Sequence, residues 1–257
     1  MKRIIQDFEV AENISLNNLH YVLKLVSPCE LPEILPGQFA EVLVPDSKFT
    51  FLRRPLSIHD VSLRERSVSF FIKCVGEGTA KLRTLKKGDT LNVMFPLGNG
   101  FGLDVIGKVL LVGGGCGVAP LYYLAKALHQ NKIEIDILIG AKSSDDISYI
   151  DSLKKFGNIF TTTEDGSHGE KGFATQHSVM KNLKGYSKIF CCGPEPMMKA
   201  VASLAKKDSV ECEVSLENTM ACGIGACLCC VTDTVDGHKC VCTDGPVFNI
   251  NLLKWQI

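Results

Sequence analysis

Six cysteines fall within 21 residues near the end of the chain: Cys222, Cys227, Cys229, Cys230, Cys240 and Cys242. Thiols this dense are held either by disulfides or by metal. Residues 1–9 start basic, but acids arrive before any apolar run of signal-peptide length. Without an export signal, metal ligation in a reducing cytosol is the expectation. Four of the six follow C-x4-C-x2-C-x11-C, through Cys222, Cys227, Cys230 and Cys242. The opening C-x4-C-x2-C is the plant-type spacing for a 2Fe-2S cluster. Gly223 and Gly225 suit a loop that turns tightly and aims backbone N–H groups at sulfur. A four-thiolate zinc site from Cys227-x-x-Cys230 with Cys240-x-Cys242 is the competing use of the same segment. Cys229 and Cys240 are spare in the iron–sulfur reading. The other six cysteines read as small buried hydrophobes.

The rest of the chain supplies the frame. Its 257 residues suggest two domains plus an appendage. Lys plus Arg equals Asp plus Glu, 28 against 28, so no bulk field draws it to nucleic acid or an anionic membrane. Residues 109–128 carry Lys126 as their only charge, which is long enough for a membrane span. Gly113, Gly114, Gly115, Gly117 and Pro120 break that stretch, so a strand, a tight loop and a helix fit it better.

Strand-like runs at 21–26, 39–44 and 68–73, punctuated by proline and glycine, predict a small antiparallel β-barrel over residues 1–101, with one helix at 79–87. From 102 to 212 the rhythm becomes strand, helix, strand. Strands are expected at 108–112, 133–139, 158–162, 188–192 and 210–216, and helices at 121–130, 145–156, 173–182 and 195–207. That alternation predicts a doubly wound parallel sheet. Residues 213–257 form the small cysteine-rich unit. The fold class is thus multi-domain β and α/β.

Three motifs carry further chemistry. Arg53-Arg54-Pro55-Leu56-Ser57 ends an apolar run, and Gly76-Glu77-Gly78-Thr79 opens the single helix of the first half. An arginine with a helix start could hold a pyrophosphate, although Thr79 as a plain N-cap is an equally good reading. The third motif, Gly113-Gly114-Gly115-Cys116-Gly117-Val118-Ala119-Pro120, is a glycine turn between strand and helix, G-x-G-x-G-x-x-P rather than the full dinucleotide fingerprint. The next strand ends in Gly140-Ala141-Lys142 and lacks the usual ribose-binding acid, which leaves NAD against NADP open. Cys192-Gly193-Pro194 also follows a strand and opens a helix on the ligand-binding side of such a sheet.

Together these residues resemble the ferredoxin-reductase superfamily. Within it, the segments at 163–172, 217–227 and 245–248 resemble the electron-transfer subunit of B-type dihydroorotate dehydrogenase, in an order covering essentially the whole chain. The resemblance implies FAD contacts at Arg54, Pro55, Leu56 and Ser57, at Phe71, Ile72 and Lys73, and at Gly78 and Thr79. It implies NAD as outside acceptor, with softer assignments at Gly113, Gly115, Gly117, Cys192 and Gly193. It also implies 2Fe-2S ligation by Cys222, Cys227, Cys230 and Cys242. A cytoplasmic heterotetramer follows, two of these chains with two catalytic subunits carrying FMN and the pyrimidine site. In it, electrons pass from FMN through the cluster and FAD to NAD+. Arg54 would neutralise phosphate charge and Ser57 would bond the isoalloxazine edge. No catalytic acid or base is expected in this chain, and its six histidines are scattered. The rivals are a ferredoxin–NADP bifurcating subunit, a sulfide dehydrogenase subunit, an oxygenase reductase, and a zinc-stabilised binding module on an inactive scaffold. The bifurcating type tends to have Asp in place of Cys222, and oxygenase reductases a longer gap before the fourth cysteine.

Overall fold

The computed structural model describes residues 3–147 and 150–256. Seven strands make the first sheet: β1 (Ile4–Ser15), β2 (His20–Val26), β3 (Phe39–Val42), β4 (Arg54–Ser57), β5 (Asp60–Ser62), β6 (Ser67–Lys73) and β7 (Thr90–Leu97). They pair antiparallel in the order β4-β3-β7-β1-β2-β6-β5 and form a half-barrel. Strand alternation explains its core. Tyr21, Leu23 and Leu25 on β2 stand opposite Ile72, Phe70 and Val68 on β6, and all six are buried. Helix α1 (Glu77–Arg83) adds Leu82 to that core. It starts two residues before the expected helix and ends four before it.

The second sheet holds β8 (Lys108–Gly114), β9 (Glu134–Ala141), β10 (Asn158–Thr163), β11 (Glu170–Lys171), β12 (Lys188–Cys192) and β13 (Glu211–Ser215). Its order is β11-β10-β9-β8-β12-β13, all parallel, continued by β16 as described below. Its central strands are covered on both faces, so β8 and β12 read as nearly unbroken apolar runs, while the outer β10 and β11 are less buried. Val109 and Leu111 of β8 face the core under helix α2 (Val118–Gln130), while Leu110 and Val112 face the opposite core. Helix α2 buries Val118, Leu121, Tyr122, Ala125 and Leu128, a stripe at helical spacing.

Two expected helices are mostly absent. Residues 145–156 give a short 3-10 turn and then only the four-residue α3 (Ile150–Leu153), with 148 and 149 outside the described residues. Residues 173–182 give two 3-10 turns. Gln176 and His177 there accept backbone N–H groups from Phe173 and Val179, competing with helical bonding. Helix α4 (Glu195–Asp208) matches expectation and ends on Ser209 in the left-handed region.

The cysteine-rich end folds as a loop, a hairpin of β14 (Val231–Thr234) with β15 (Gly237–Cys240), and a short β16 (Val247–Asn249). Strand β16 pairs antiparallel with β13 and so extends the second sheet. The expected boundary after residue 212 falls inside β13. No helix among the described residues is long and apolar enough to cross a membrane; residues 109–128 form the end of β8, the glycine turn and α2.

The half-barrel docks on the second sheet around His59. This ring is 1% exposed, stacks on Tyr122 at 4.6 Å, and its Nδ1–H donates to Ala119 O at 2.8 Å. Burial pushes its pKa down to about 4 from 6.5. The native state therefore buries neutral imidazole, while the unfolded chain takes up a proton below pH 6.5. The stability at stake is intact above that pH and is lost as pH falls towards 4, about 3 kcal/mol at the limit. Chemical denaturation should show wild type losing more stability between pH 7 and pH 4 than His59→Asn, whose amide can still donate to Ala119. Parallel pH profiles would refute the assignment.

Candidate functional site

Three sites line up along the chain. At the carboxyl end of the parallel strands lies a cavity of about 710 Å³, reaching from the glycine turn to Glu164, Phe173 and Glu217. Its floor is a contact between two backbones. A side chain at Gly117 would place its Cβ 2.1 Å from Cys192 O and 2.3 Å from Cys192 C, so only glycine lets the turn close on β12. The expected nucleotide residues Gly113, Gly115, Gly117, Cys192 and Gly193 are thereby brought together. Cys192 itself is fully buried, and burial holds its thiol well above the usual range.

On the half-barrel is a groove of about 430 Å³ lined by Phe49 to Leu52, Arg54, and Val75 to Thr79. Gly78 sits so close to Arg54 that an added Cβ would lie 3.2 Å from Arg54 Cδ. Helix α1 is capped at Gly76, not at Thr79. The Thr79 hydroxyl accepts the N–H groups of Val75 (3.0 Å) and Gly76 (3.2 Å) and donates to Gly76 O (2.9 Å). Arg54, Gly78 and Thr79 thus share one groove, and Pro55, Leu56 and Ser57 continue along β4 beside β3. The run 71–73 divides. Ile72 points into the half-barrel core, Phe71 into the core shared with the second sheet, and Lys73 into the large cavity. There Lys73 Nζ pairs with Asp146 Oδ1 at 2.9 Å, joining the two units.

The cysteine loop runs between these sites. Its four expected ligands stand as two sulfur pairs within thiol hydrogen-bonding reach, Cys222 with Cys227 and Cys230 with Cys242. Backbone N–H groups point at the sulfurs: Ile224 and Cys227 towards Cys222 (3.5 and 3.4 Å), Gly225 towards Cys242 (3.1 Å), and Cys242 towards Cys230 (3.4 Å). These donors, Ile224 first, pull Cys222 down to about 6. Cys242 is pushed up to about 12, chiefly by burial. The four thiols are the donor set of a 2Fe-2S cluster, but they stand as two pairs, and among the described residues no three His, Cys, Asp or Glu side chains are gathered as a ready ion site. The zinc alternative would draw on Cys230 with Cys242 and add Cys227 and Cys240, leaving out Cys222. Cys229 is exposed, and Cys240 is taken up in the hairpin opposite Val231.

Sequence reasoning gave no role to Glu41, Glu164 or Glu217. Glu41 is wholly buried on β3, and its Cγ lies 2.8 Å from where a Cβ at Gly223 would stand. Neither carboxyl oxygen has a hydrogen-bond partner among the described residues. Burial pushes it up to about 7, against the pull of Arg54 and Arg53. The signal available was a charged residue inside the apolar run 39–44.

A half-barrel with a phosphate-type groove, a parallel sheet with a nucleotide cavity, and a four-thiolate loop together define an iron–sulfur flavoprotein reductase. The comparisons agree. Residues 217–254 match the iron–sulfur cluster binding domain of dihydroorotate dehydrogenase B, and residues 111–203 match the oxidoreductase NAD-binding domain. The "Dihydroorotate dehydrogenase B (NAD(+)), electron transfer subunit" of Fusobacterium nucleatum is 40% identical, over 95% of this chain and 96% of its own. The protein of the same name from Clostridium perfringens is 39% identical, over 94% of each. The chain belongs to the family of dihydroorotate dehydrogenase B electron transfer subunits. A solved NADH-dependent reduced ferredoxin–NADP oxidoreductase is 31% identical, with a TM-score of 0.86 over 96% of this chain and 90% of that one. The ferredoxin reductase of carbazole 1,9a-dioxygenase shares the fold, at a TM-score of 0.71 and 22% identity over 82% of this chain and 67% of that one.

The glycine turn offers a paired test. Gly115 has φ +53° with nothing within 4 Å of an added Cβ, so Gly115→Ala meets only backbone strain of about 1–2 kcal/mol. Gly117→Ala must push the turn off Cys192. Steady-state kinetics should show kcat/KM for NADH falling about 10²-fold in the second variant and little in the first. Equal effects would remove the backbone contact from the account.

Proposed function

We propose that this chain relays electrons from the FMN of a catalytic dihydroorotate dehydrogenase subunit through a 2Fe-2S cluster and FAD to NAD+, in pyrimidine biosynthesis. The observation that carries the reading is the pair of thiol pairs in a chain that also holds a dinucleotide-type cavity and a flavin-type groove. When bound, a flavin exchanges electrons singly or in pairs, and so links a one-electron cluster to a two-electron nicotinamide. Arg54 neutralises the FAD diphosphate in the smaller groove, where Gly78 leaves room for it. Pro55, Leu56 and Ser57 line the flavin along β4, with Ser57 donating to its edge. Phe71, Lys73 and the backbone at Ile72 complete that side. Gly115, Gly117 and Gly193 form the floor for NAD, backed by Gly113 and the buried Cys192 on the paired strands behind it. Cys222, Cys227, Cys230 and Cys242 ligate the cluster. This chain's residues bind and orient, and none is assigned a proton-transfer role.

The three units are 1–101, 102–215 and 216–257, the limit expected after residue 212 being moved beyond β13 so that the strand stays whole. The assembly is two of these chains with two FMN-containing catalytic subunits, cytoplasmic, with no nucleic acid or membrane partner. Cys227 and Cys229 are exposed on the cluster loop, flanked by the exposed apolar side chains of Ile224 and Leu228. The catalytic subunit docks there, because a one-electron carrier must face its donor. The full four-cysteine set favours this reading over the ferredoxin–NADP type.

Cys227→Ser in the assembled complex should abolish orotate-coupled NAD+ reduction while leaving NADH-to-dye activity through FAD. Retained orotate coupling would sink the relay. Leu228→Arg should weaken association with the catalytic subunit by about tenfold or more, read by size-exclusion chromatography at graded concentrations. An unchanged elution profile would move the docking face elsewhere.

A further inference from the structure

We propose that loop 142–147 is a strap that fastens the parallel-sheet unit to the half-barrel along one side of the large cavity, and that its release limits how fast NAD(H) enters and leaves. The proposal rests on the nicotinamide reading of that cavity. The loop follows β9 and is polar from Lys142 to Asp146, with a 3-10 turn over Ser144–Asp146 that buries no residue. Polar contacts carry it to the half-barrel. Asn17 Nδ2 donates to Asp145 O at 2.8 Å, and Lys73 Nζ pairs with Asp146 Oδ1 at 2.9 Å. Lys73, Lys142 and Asp146 all line the cavity, so the second tie is itself part of its wall.

The two ends of the fastening are unequally held. On the half-barrel, Asn17 lies in the turn between β1 and β2. Its Oδ1 accepts the N–H groups of Leu19 at 2.9 Å and His20 at 2.7 Å, and Arg83 Nη2 donates to its carbonyl at 2.8 Å. With the oxygen engaged, the amide nitrogen is aimed at the strap. The strap end is looser. Ser144 N–H donates to the Ser167 hydroxyl at 2.8 Å and Asp165 N–H to Lys142 O at 3.3 Å, so its further supports are themselves loop residues. Lys142, Ser144 and Asp145 are exposed. A segment held by polar, water-accessible contacts without a buried apolar anchor opens at low free energy.

The units themselves stay together when the strap opens. Their adhesion lies elsewhere, in the core around Phe71, Val118 and Tyr122, in the stack of His59 on Tyr122, and in the Lys126–Asp60 pair. Opening therefore uncovers one side of the cavity without moving its floor, where the glycine turn closes on β12. A gate that holds the ligand equally well open or closed scales entry and exit by the same open fraction and leaves affinity unchanged. A residue that touches the ligand changes the affinity instead.

The test follows NADH binding to the intact complex by stopped-flow fluorescence, after anaerobic reduction with dithionite so that binding is seen without electron transfer. Asn17→Asp keeps the oxygen that holds Leu19 and His20 but loses the donor to the strap, and Asn17→Ala loses the donor without adding charge. Retained flavin and iron content reports correct folding. In both variants the association and dissociation rate constants should rise together about fivefold, the effect of one hydrogen bond, with Kd within about twofold of wild type. Rate constants within twofold of wild type in either variant would overturn the strap. So would a changed Kd with one rate constant fixed, which marks a contact with the ligand. Wild-type complex that binds no NADH would instead overturn the nicotinamide reading beneath it.

Discussion

The pairing of β16 with β13 is the interaction on which the arrangement depends. A loop that wraps a metal cluster has little regular structure of its own, so neighbours must fix its position. Val214 opposite Phe248 and Ser215 opposite Val247 make the cysteine unit an edge strand of the second sheet. On the other side, Asn99 N–H donates to Gly245 O at 2.6 Å and Asn99 Nδ2 to Asp244 O at 2.7 Å, tying the same unit to the end of β7. One buried core contains Phe39 and Leu97 of the half-barrel, Leu110 and Val214 of the sheet, and Cys230, Val241 and Phe248 of the cysteine unit. Apolar burial shared by three units holds two redox sites and a cavity in fixed relation without a flexible linker.

The half-barrel and sheet meet through a second shared core, containing Phe71 and Phe101 together with Val118, Tyr122 and Phe190. Ion pairs ring it. Lys126 bonds Asp60 at 2.6 Å and Lys73 bonds Asp146 at 2.9 Å. Partly exposed pairs of this kind contribute about 0–1 kcal/mol each, whereas burying one large aromatic contributes about 1.5–3 kcal/mol. The apolar contact supplies the adhesion. The ion pairs fix the angle, and Lys73 does so from inside the large cavity, to which the half-barrel thereby supplies a wall.

Legibility in the sequence followed physical constraint. The strands β8, β9 and β12 were readable because burial on both faces demands mostly apolar runs, and β10 because β-branched and aromatic residues fill it. The cysteine spacing was readable because metal ligation admits few residue types at fixed intervals, and the same segment carried the resemblance. Strand β1 was not read, because one face meets solvent and its acids break the pattern; only Phe8 and Val10 are buried along it. The helix expected at 173–182 failed where the Gln176 and His177 side chains bond the backbone locally, and before the helix expected at 145–156 the Ser144 N–H is drawn away to the Ser167 hydroxyl.

The cysteine loop shows how one backbone sets different environments for chemically identical ligands. Cys222, at the loop's outer side, has two N–H donors and little burial, so its thiolate is favoured before any metal arrives. Cys242 lies in the shared core with one donor, and burial opposes its ionisation. A group held across the two pairs would meet a hydrogen-bonded outer side near solvent and an inner side buried against the protein. N–H donors and solvent both stabilise negative charge, so the outward-facing Cys222–Cys227 pair is the better prepared of the two to hold thiolates. That inequality follows from the unequal burial of the two pairs, which the two anchors on β13 and Asn99 impose.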